Sequence, residues 1–112
     1  MSALPPYLSL VLACYNEAQH LEASFAEIRE TLEQTSWPFE VIFVDDVSRD
    51  RTREILREIV AAHPDLDLRV ILHETNRGRG RTVTDGFRAA RGTIAGYLDV
   101  DLEVHARYVP SL

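Results

Sequence analysis

Three carboxylates in the run Leu98-Asp99-Val100-Asp101-Leu102-Glu103 follow directly on an apolar, β-type segment. Alternate residues of an extended chain point the same way, so Asp99 and Asp101 share one side and Val100 packs on the other. Glu103 continues that side if the chain stays extended. Converging carboxylates at a strand end repel one another unless a cation sits among them. Their hard oxygens suit Mg²⁺ or Mn²⁺, and an ion held this way can in turn grip a diphosphate. Solvated acidic loops produce the same D-x-D spacing, so the position of the run in the fold decides its meaning.

A second acidic pair, Asp45-Asp46, closes the apolar segment Glu40–Val44. Such carboxylates accept hydrogen bonds from ribose hydroxyls or a base N–H, or they cap a helix. Tyr15 is either core or a surface on which a planar base can stack. Glu17 is either a ligand group or a first-turn helix residue favoured by the macrodipole. Arg77-Gly78-Arg79-Gly80-Arg81 gathers three cations in five residues of an acidic chain. Its glycines let the backbone approach a ligand, and the N-terminus of the helix that follows favours anions. It reads as a phosphate contact or as a solvated loop.

Gly78-x-Gly80-x-x-Val83 lacks the third glycine of a dinucleotide fingerprint and follows the wrong strand, which argues against NAD. His20, His63, His73 and His105 show no metal-ligand spacing. His20 and His63 read as surface residues, and His105 stands just past the acidic run. Ser24, Ser48 and Cys14 lack a nucleophile context.

The elements that must position these groups are written in the hydropathy pattern. Leu8–Ala13, Glu40–Val44, Leu68–Leu72 and Thr93–Leu98 read as buried strands. Between them lie helical patterns. The first, Ala18–Gln34, carries Leu21, Phe25, Ile28 and Leu32 on one face. The second carries Ile55, Leu56, Ile59 and Val60, with Ser48 or Asp50 as its cap. The third follows the Asn76–Arg81 loop, turns Val83, Phe87 and Ala90 inward, and ends at Gly92 as a left-handed cap. A βαβαβαβ order with short connections predicts a doubly wound, Rossmann-like α/β fold with a parallel sheet in the order 3-2-1-4. In such sheets ligands bind beyond the carboxyl ends of the strands, at the point where the order reverses. Tyr15, Asp46 and Asp99 all fall at that edge.

The chain has 112 residues, a net charge of −6, and 12 basic residues that are all arginine. The acidic balance argues against nucleic acid as a partner. A single cysteine excludes an intrachain disulfide and fits a reducing, cytoplasmic location. No apolar stretch approaches the roughly 20 residues that span a bilayer, and residues 1–7 do not read as a secretory signal.

Ala13-Cys14-Tyr15-Asn16-Glu17, Val44-Asp45-Asp46-x-Ser48-x-Asp50-x-Thr52, Asn76-Arg77-Gly78-Arg79-Gly80 and Asp99-x-Asp101 stand in this order along the chain. Together they resemble family 2 glycosyltransferases of the GT-A fold, closest in flavour to the dolichyl- and polyprenyl-phosphate sugar transferases. The resemblance implies inverting, metal-dependent transfer of a sugar from a UDP- or GDP-linked donor, with a polyprenyl phosphate as acceptor. It implies that Ala13, Tyr15 and Glu17 line the nucleoside pocket and that Asp46 contacts the base. Asp99 would meet the ribose or sugar, and Asp101 the Mg²⁺ or Mn²⁺. Glu103 falls near the metal, where relatives often carry Gln. Arg79 replaces a commoner Lys in the glycine-rich loop, keeping the charge and changing its geometry. Val47 replaces a frequent Gly after the acidic pair, which is unfavourable if that turn needs positive φ.

Such catalytic domains continue well past the D-x-D strand. Residues 1–112 therefore correspond to the donor-binding half of a truncated GT-A fold, which alone is expected to be inactive. No residue of this half is assigned as the general base. The full-length protein is expected at the membrane surface. A bare edge on the fourth strand would favour self-association.

A receiver-like signalling domain is a rival with the same layout. It needs a lysine, absent here, and places its acidic pair after the first strand. The third reading is a non-catalytic α/β binding module.

Overall fold

The computed structural model describes residues 5–99. It contains β1 (Leu8–Cys14), α1 (Leu21–Glu33), β2 (Phe39–Asp45), α2 (Thr52–Ala62), β3 (Leu68–Leu72), α3 (Gly78–Ala89) and β4 (Ile94–Asp99). All strand pairs are parallel and the order is β3-β2-β1-β4, as the hydropathy pattern predicts. The reversal falls between β1 and β4. Crossovers of this kind place helices on both faces.

The two faces have different cores. Alternation along β1 sends Leu8, Leu10, Leu12 and Cys14 to the side of α1 and α2, where they meet Leu21, Phe25, Ile28, Leu32, Ile55, Leu56 and Ile59. Phe25 and Phe43 pack with ring centroids 5.8 Å apart. The opposite face carries Val11, Ile42 and Val44 beneath α3. β1 and β2 are thus buried on both sides, which explains their nearly continuous apolar runs, whereas β3, at the edge of the sheet, is half-buried throughout.

Helix α3 lies close to the sheet because of Gly86. A Cβ at that position would stand 2.3 Å from Val11 Cγ1 and 3.2 Å from Val44 Cγ2. This contact fixes which way the helix turns. Thr82 and Gly86 face inward, and Phe87, about 100° further round, is 41% exposed. The expectation that Phe87 points inward is thereby corrected. Gly92 is not a left-handed cap either. Among the described glycines only Gly78 has positive φ, and α3 ends in extended backbone at Ala90. Gly92 is needed for space, because a Cβ there would stand 2.6 Å from Ser9 Oγ.

A buried polar cluster closes the N-terminal end of the sheet on the α3 side. Glu40 is fully buried. It accepts hydrogen bonds from Ser9 Oγ at 2.5 Å, the Arg91 N–H at 2.7 Å and Arg91 Nη2 at 3.0 Å, with Arg69 Nε 3.5 Å away. Burial pushes its carboxyl up, but the Ser9 hydroxyl and Arg91 outweigh this and hold it below the ordinary range. His63, expected at the surface, is half-buried. Its Nδ1 lies 3.1 Å from Arg29 Nη1 and its ring packs on Phe25 with centroids 5.4 Å apart.

Candidate donor site at the carboxyl rim of the sheet

Strand register brings the candidate residues to one edge. Cys14 of β1 pairs with Asp45 of β2, and Ala13 pairs with Asp99 of β4. Neighbouring strands lie about 4.8 Å apart, so the acidic ends of β2 and β4 flank the end of β1 at roughly twice that separation. The ladder continues one residue beyond the strands. The Asp46 N–H donates to the Cys14 carbonyl at 3.1 Å, and the His73 N–H to the Asp45 carbonyl at 2.9 Å. Tyr15, at the start of the β1–α1 loop, is 46% exposed on this rim, while Ala13 and Glu17 are half-buried there.

Two of the rim's loops are stitched together by their own side chains. The Asn16 N–H donates to Ser48 Oγ at 3.0 Å, the Glu17 N–H to Thr52 Oγ1 at 2.8 Å, and the Ala18 N–H to Asp50 Oδ2 at 3.2 Å. In return the Arg49 N–H donates to Asn16 Oδ1 at 2.8 Å. Asp50 Oδ1 also accepts the Thr52 N–H at 2.9 Å. The sequence reading makes Ser48 or Asp50 the cap of α2. The N-cap position is instead Arg51, without a side-chain cap bond. The Ser48-x-Asp50-x-Thr52 spacing is explained by this cross-loop clamp, which secures backbone N–H groups that would otherwise lack partners.

The acidic pair divides its work. Asp45 is fully buried and turned inward, with Arg53 Nε at 2.6 Å and the Ser48 N–H at 3.0 Å on Oδ2, and the Ser48 hydroxyl on Oδ1. Arg53 also donates from Nη2 to the His73 carbonyl at 2.5 Å. Asp46 faces the other way. Its Oδ1 accepts from the Arg77 N–H at 2.8 Å and from His73 Nδ1 at 2.9 Å, and its Oδ2 from the Gly78 N–H at 2.9 Å. Burial pushes the Asp46 carboxyl up, but the Arg77 N–H, His73 and the Gly78 N–H more than offset this and hold it below the ordinary range.

Asp46 thus stands where a foreign anion would meet the start of α3. The Asn76–Arg81 segment, expected as a loop, is largely helical. Arg77 is the N-cap and α3 begins at Gly78, whose φ of 81° puts it in the left-handed region. The N–H groups of Arg77 and Gly78, which would attract an anion at this helix start, are already taken by Asp46. Arg79 stands in the first turn of α3, but its side chain lies outside the described part.

Two loop residues adopt positive φ, Asn16 at 52° and Val47 at 60°. Val47 fills the position where a glycine is expected, and the turn does need the left-handed conformation.

Cys14 is buried. Burial, then the charges of Asp45 and Glu17, push its thiol well above its ordinary value. This agrees with its lack of a nucleophile context. His73 was missed as a site residue. It lies one position past β3 and is buried, bridging Asp46 to Asp85 Oδ2 at 2.8 Å through Nε2. Only the juxtaposition of β2, β3 and α3 reveals it.

For a metal, the relevant donors are Asp99, Asp101 and Glu103. The Asp99 backbone ends β4 in register with Ala13, although its side chain lies outside the described part. Asp101, Glu103 and His105 lie outside the described residues. Among the described residues no cluster of His, Cys, Asp or Glu is built to hold a metal. The hard-oxygen set fits Mg²⁺ or Mn²⁺ by its chemistry, and the strand that delivers it ends at the correct rim. No helix among the described residues is long and apolar enough to cross a membrane.

Comparison with known proteins agrees with this layout. The chain is 31% identical over 105 residues to a dolichol-phosphate mannosyltransferase of Pyrococcus furiosus, a match covering 94% of this chain and 28% of that protein. Among solved structures it resembles the mannosyltransferase PcManGT of Pyrobaculum calidifontis, in complex with GDP-Man and Mn²⁺. There the TM-score is 0.80 with 28% identity, covering 97% of this chain and 31% of that one. It also resembles TarS 1–349 of S. aureus in complex with UDP-GlcNAc, with a TM-score of 0.70 and 25% identity, covering 93% of this chain and 29% of that one. These structures are GT-A glycosyltransferases. The chain thus spans less than a third of the length of the relatives it matches. The model of the glycosyl transferase family 2 matches residues 9–112, nearly the whole chain, and the protein belongs to that family.

Proposed function

We propose that residues 1–112 form the donor-binding portion of an inverting, metal-dependent glycosyltransferase, and that they hold a nucleoside-diphosphate sugar. The observation that carries this reading is the shared rim. Exposed Tyr15, the acidic end of β2, the Asp99 end of β4 and the arginine-bearing start of α3 all belong to the carboxyl side of one sheet, at its switch point. Tyr15 offers a stacking face for the base, with Ala13 and Glu17 lining the same pocket. Asp46 contacts the base. Asp99 meets the ribose or sugar. Asp101 and Glu103 hold Mg²⁺ or Mn²⁺, which neutralises the leaving diphosphate when bound, and Arg79 adds a phosphate contact. The complexes of relatives with GDP-Man and with UDP-GlcNAc support a GDP- or UDP-linked donor.

The dolichol-phosphate relative supports a polyprenyl phosphate acceptor and work at the cytoplasmic membrane surface. Transfer itself needs acceptor-binding and base groups beyond this portion, so the isolated chain binds donor without turning it over. Among the described residues β4 pairs with β1 alone, and its outer edge favours self-association.

Calorimetric titration of GDP- and UDP-sugars, with and without Mn²⁺, tests the reading. Metal-dependent binding that Asp101→Ala abolishes is expected. A folded chain that binds none of these donors, or an Asp101→Ala variant indistinguishable from wild type, contradicts it.

A further inference from the structure

His73 sits at the centre of a hydrogen-bonded chain that crosses three elements. Asp46, just past β2, accepts from His73 Nδ1 at 2.9 Å. Asp85 Oδ2, in the body of α3, stands 2.8 Å from His73 Nε2, and Asp85 Oδ1 accepts from Arg81 Nε at 3.0 Å. The His73 carbonyl is held by Arg53 of α2. The ring is buried, whereas Arg81 is exposed on the first turn of α3. Both ring partners are carboxylates, and an ionised carboxylate only accepts. A rigid ring with a nitrogen on each of two sides, buried between two acids, ties β2, β3 and α3 together at one point. A side chain without the second nitrogen reaches one of these acids and leaves the other without its partner.

The same Asp46 carboxylate receives the N–H groups of Arg77 and Gly78. His73 thus braces the cap of α3 on one side and, through Asp85, the guanidinium of Arg81 on the other. We propose that His73 is a positioning residue that fixes the Arg77–Arg81 turn against the end of β2, so that its cations face the diphosphate of the donor. The diphosphate part of this inference rests on the donor-site reading above; the brace itself does not.

Two readouts separate them. Amide hydrogen exchange of the ligand-free chain reports the brace alone. His73→Gln, which keeps a donor at reduced reach, and His73→Ala should both speed exchange at Arg77 and Gly78, by about tenfold or more for the alanine variant. Asp85→Ala should leave those two amides protected while freeing Arg81. Unchanged exchange at Arg77 and Gly78 in a folded His73→Ala chain overturns the brace.

Titration with GDP and UDP in the presence of Mn²⁺ then reports the link to the donor. Affinity for GDP and UDP should fall about tenfold in His73→Ala, and guanosine or uridine, which meet Asp46 but not the Arg77–Arg81 turn, should lose distinctly less. An equal loss for nucleoside and nucleotide, or no loss for either, overturns the positioning role. If wild type binds neither GDP nor UDP, the donor reading fails, and the inference is overturned in its diphosphate part while the exchange data still decide the brace.

Discussion

The carboxylate of Asp46, just beyond β2, caps α3 by accepting the Gly78 N–H at 2.9 Å. The same group accepts the neighbouring Arg77 N–H, so the start of α3 is tied to the strand beside it before any ligand arrives. An internal anion thus stands where the helix N-terminus would attract an external one.

Removing that cap should be costly. Asp46→Ala leaves two backbone N–H groups and His73 without their partner, and we expect a loss of about 1–3 kcal/mol of stability in urea unfolding. Asp46→Asn keeps the acceptor oxygen on one side only and should fall between wild type and alanine.

Acid should weaken the fold through Asp46 and Glu40 together. Both carboxyls are held below their ordinary range in the folded chain. A depressed folded value contributes stability that is present above the unfolded value, near pH 4. That stability is lost as pH falls from there through the folded values. Thermal melting should therefore be insensitive to Asp46→Asn and Glu40→Gln in its acid slope above about pH 5, and the slope below about pH 4 should flatten in each variant.

Glu40 is the buried charge whose truncation should hurt most. Glu40→Ala strands the Arg91 and Arg69 guanidiniums and the Ser9 hydroxyl around an emptied site. Chemical denaturation should show a loss of about 3–5 kcal/mol.

Val47 and Gly86 predict opposite signs for glycine. Val47 holds a φ of 60° that a β-branched residue adopts at a cost, so Val47→Gly should be neutral or stabilising by about 1 kcal/mol. Gly86 has no room for a Cβ against Val11, so Gly86→Ala should destabilise by about 1–3 kcal/mol. Paired with Val11→Ala it should recover part of that loss, as a double-mutant cycle would show.

Much of this architecture was legible in the residues. Apolar runs marked four strands, most clearly β1 and β2, which are buried on both faces, and the helical periodicity of Leu21, Phe25, Ile28 and Leu32 marked the face of α1. The alternation of elements then left few topologies, and the sheet order followed. The rim itself was legible because loop chemistry in such sheets must collect at the strand ends.

Contacts between segments distant in sequence were not legible. Periodicity counted Phe87 as core, but the closeness of Gly86 to Val11 decides the rotation of α3, and no pattern within the helix encodes it. His73 looked like an isolated histidine because its two acids lie 27 and 12 residues away. Ser48 and Asp50 looked like capping residues because a clamp onto the β1–α1 loop requires knowing that the two loops are neighbours. Val47 was the exception. The glycine that the family resemblance puts at this position pointed to the left-handed conformation that Val47 adopts.

Whether a divalent ion and a nucleoside diphosphate gather at the carboxyl rim of this sheet is read from paramagnetic broadening of amide resonances by Mn²⁺ in the presence of GDP or UDP. Selective broadening is expected at Tyr15, Asp46 and Asp99, with Ser9, Glu40 and Arg91 at the opposite end left sharp. Broadening centred on that opposite end, or spread evenly over the acidic surface, would contradict this placement.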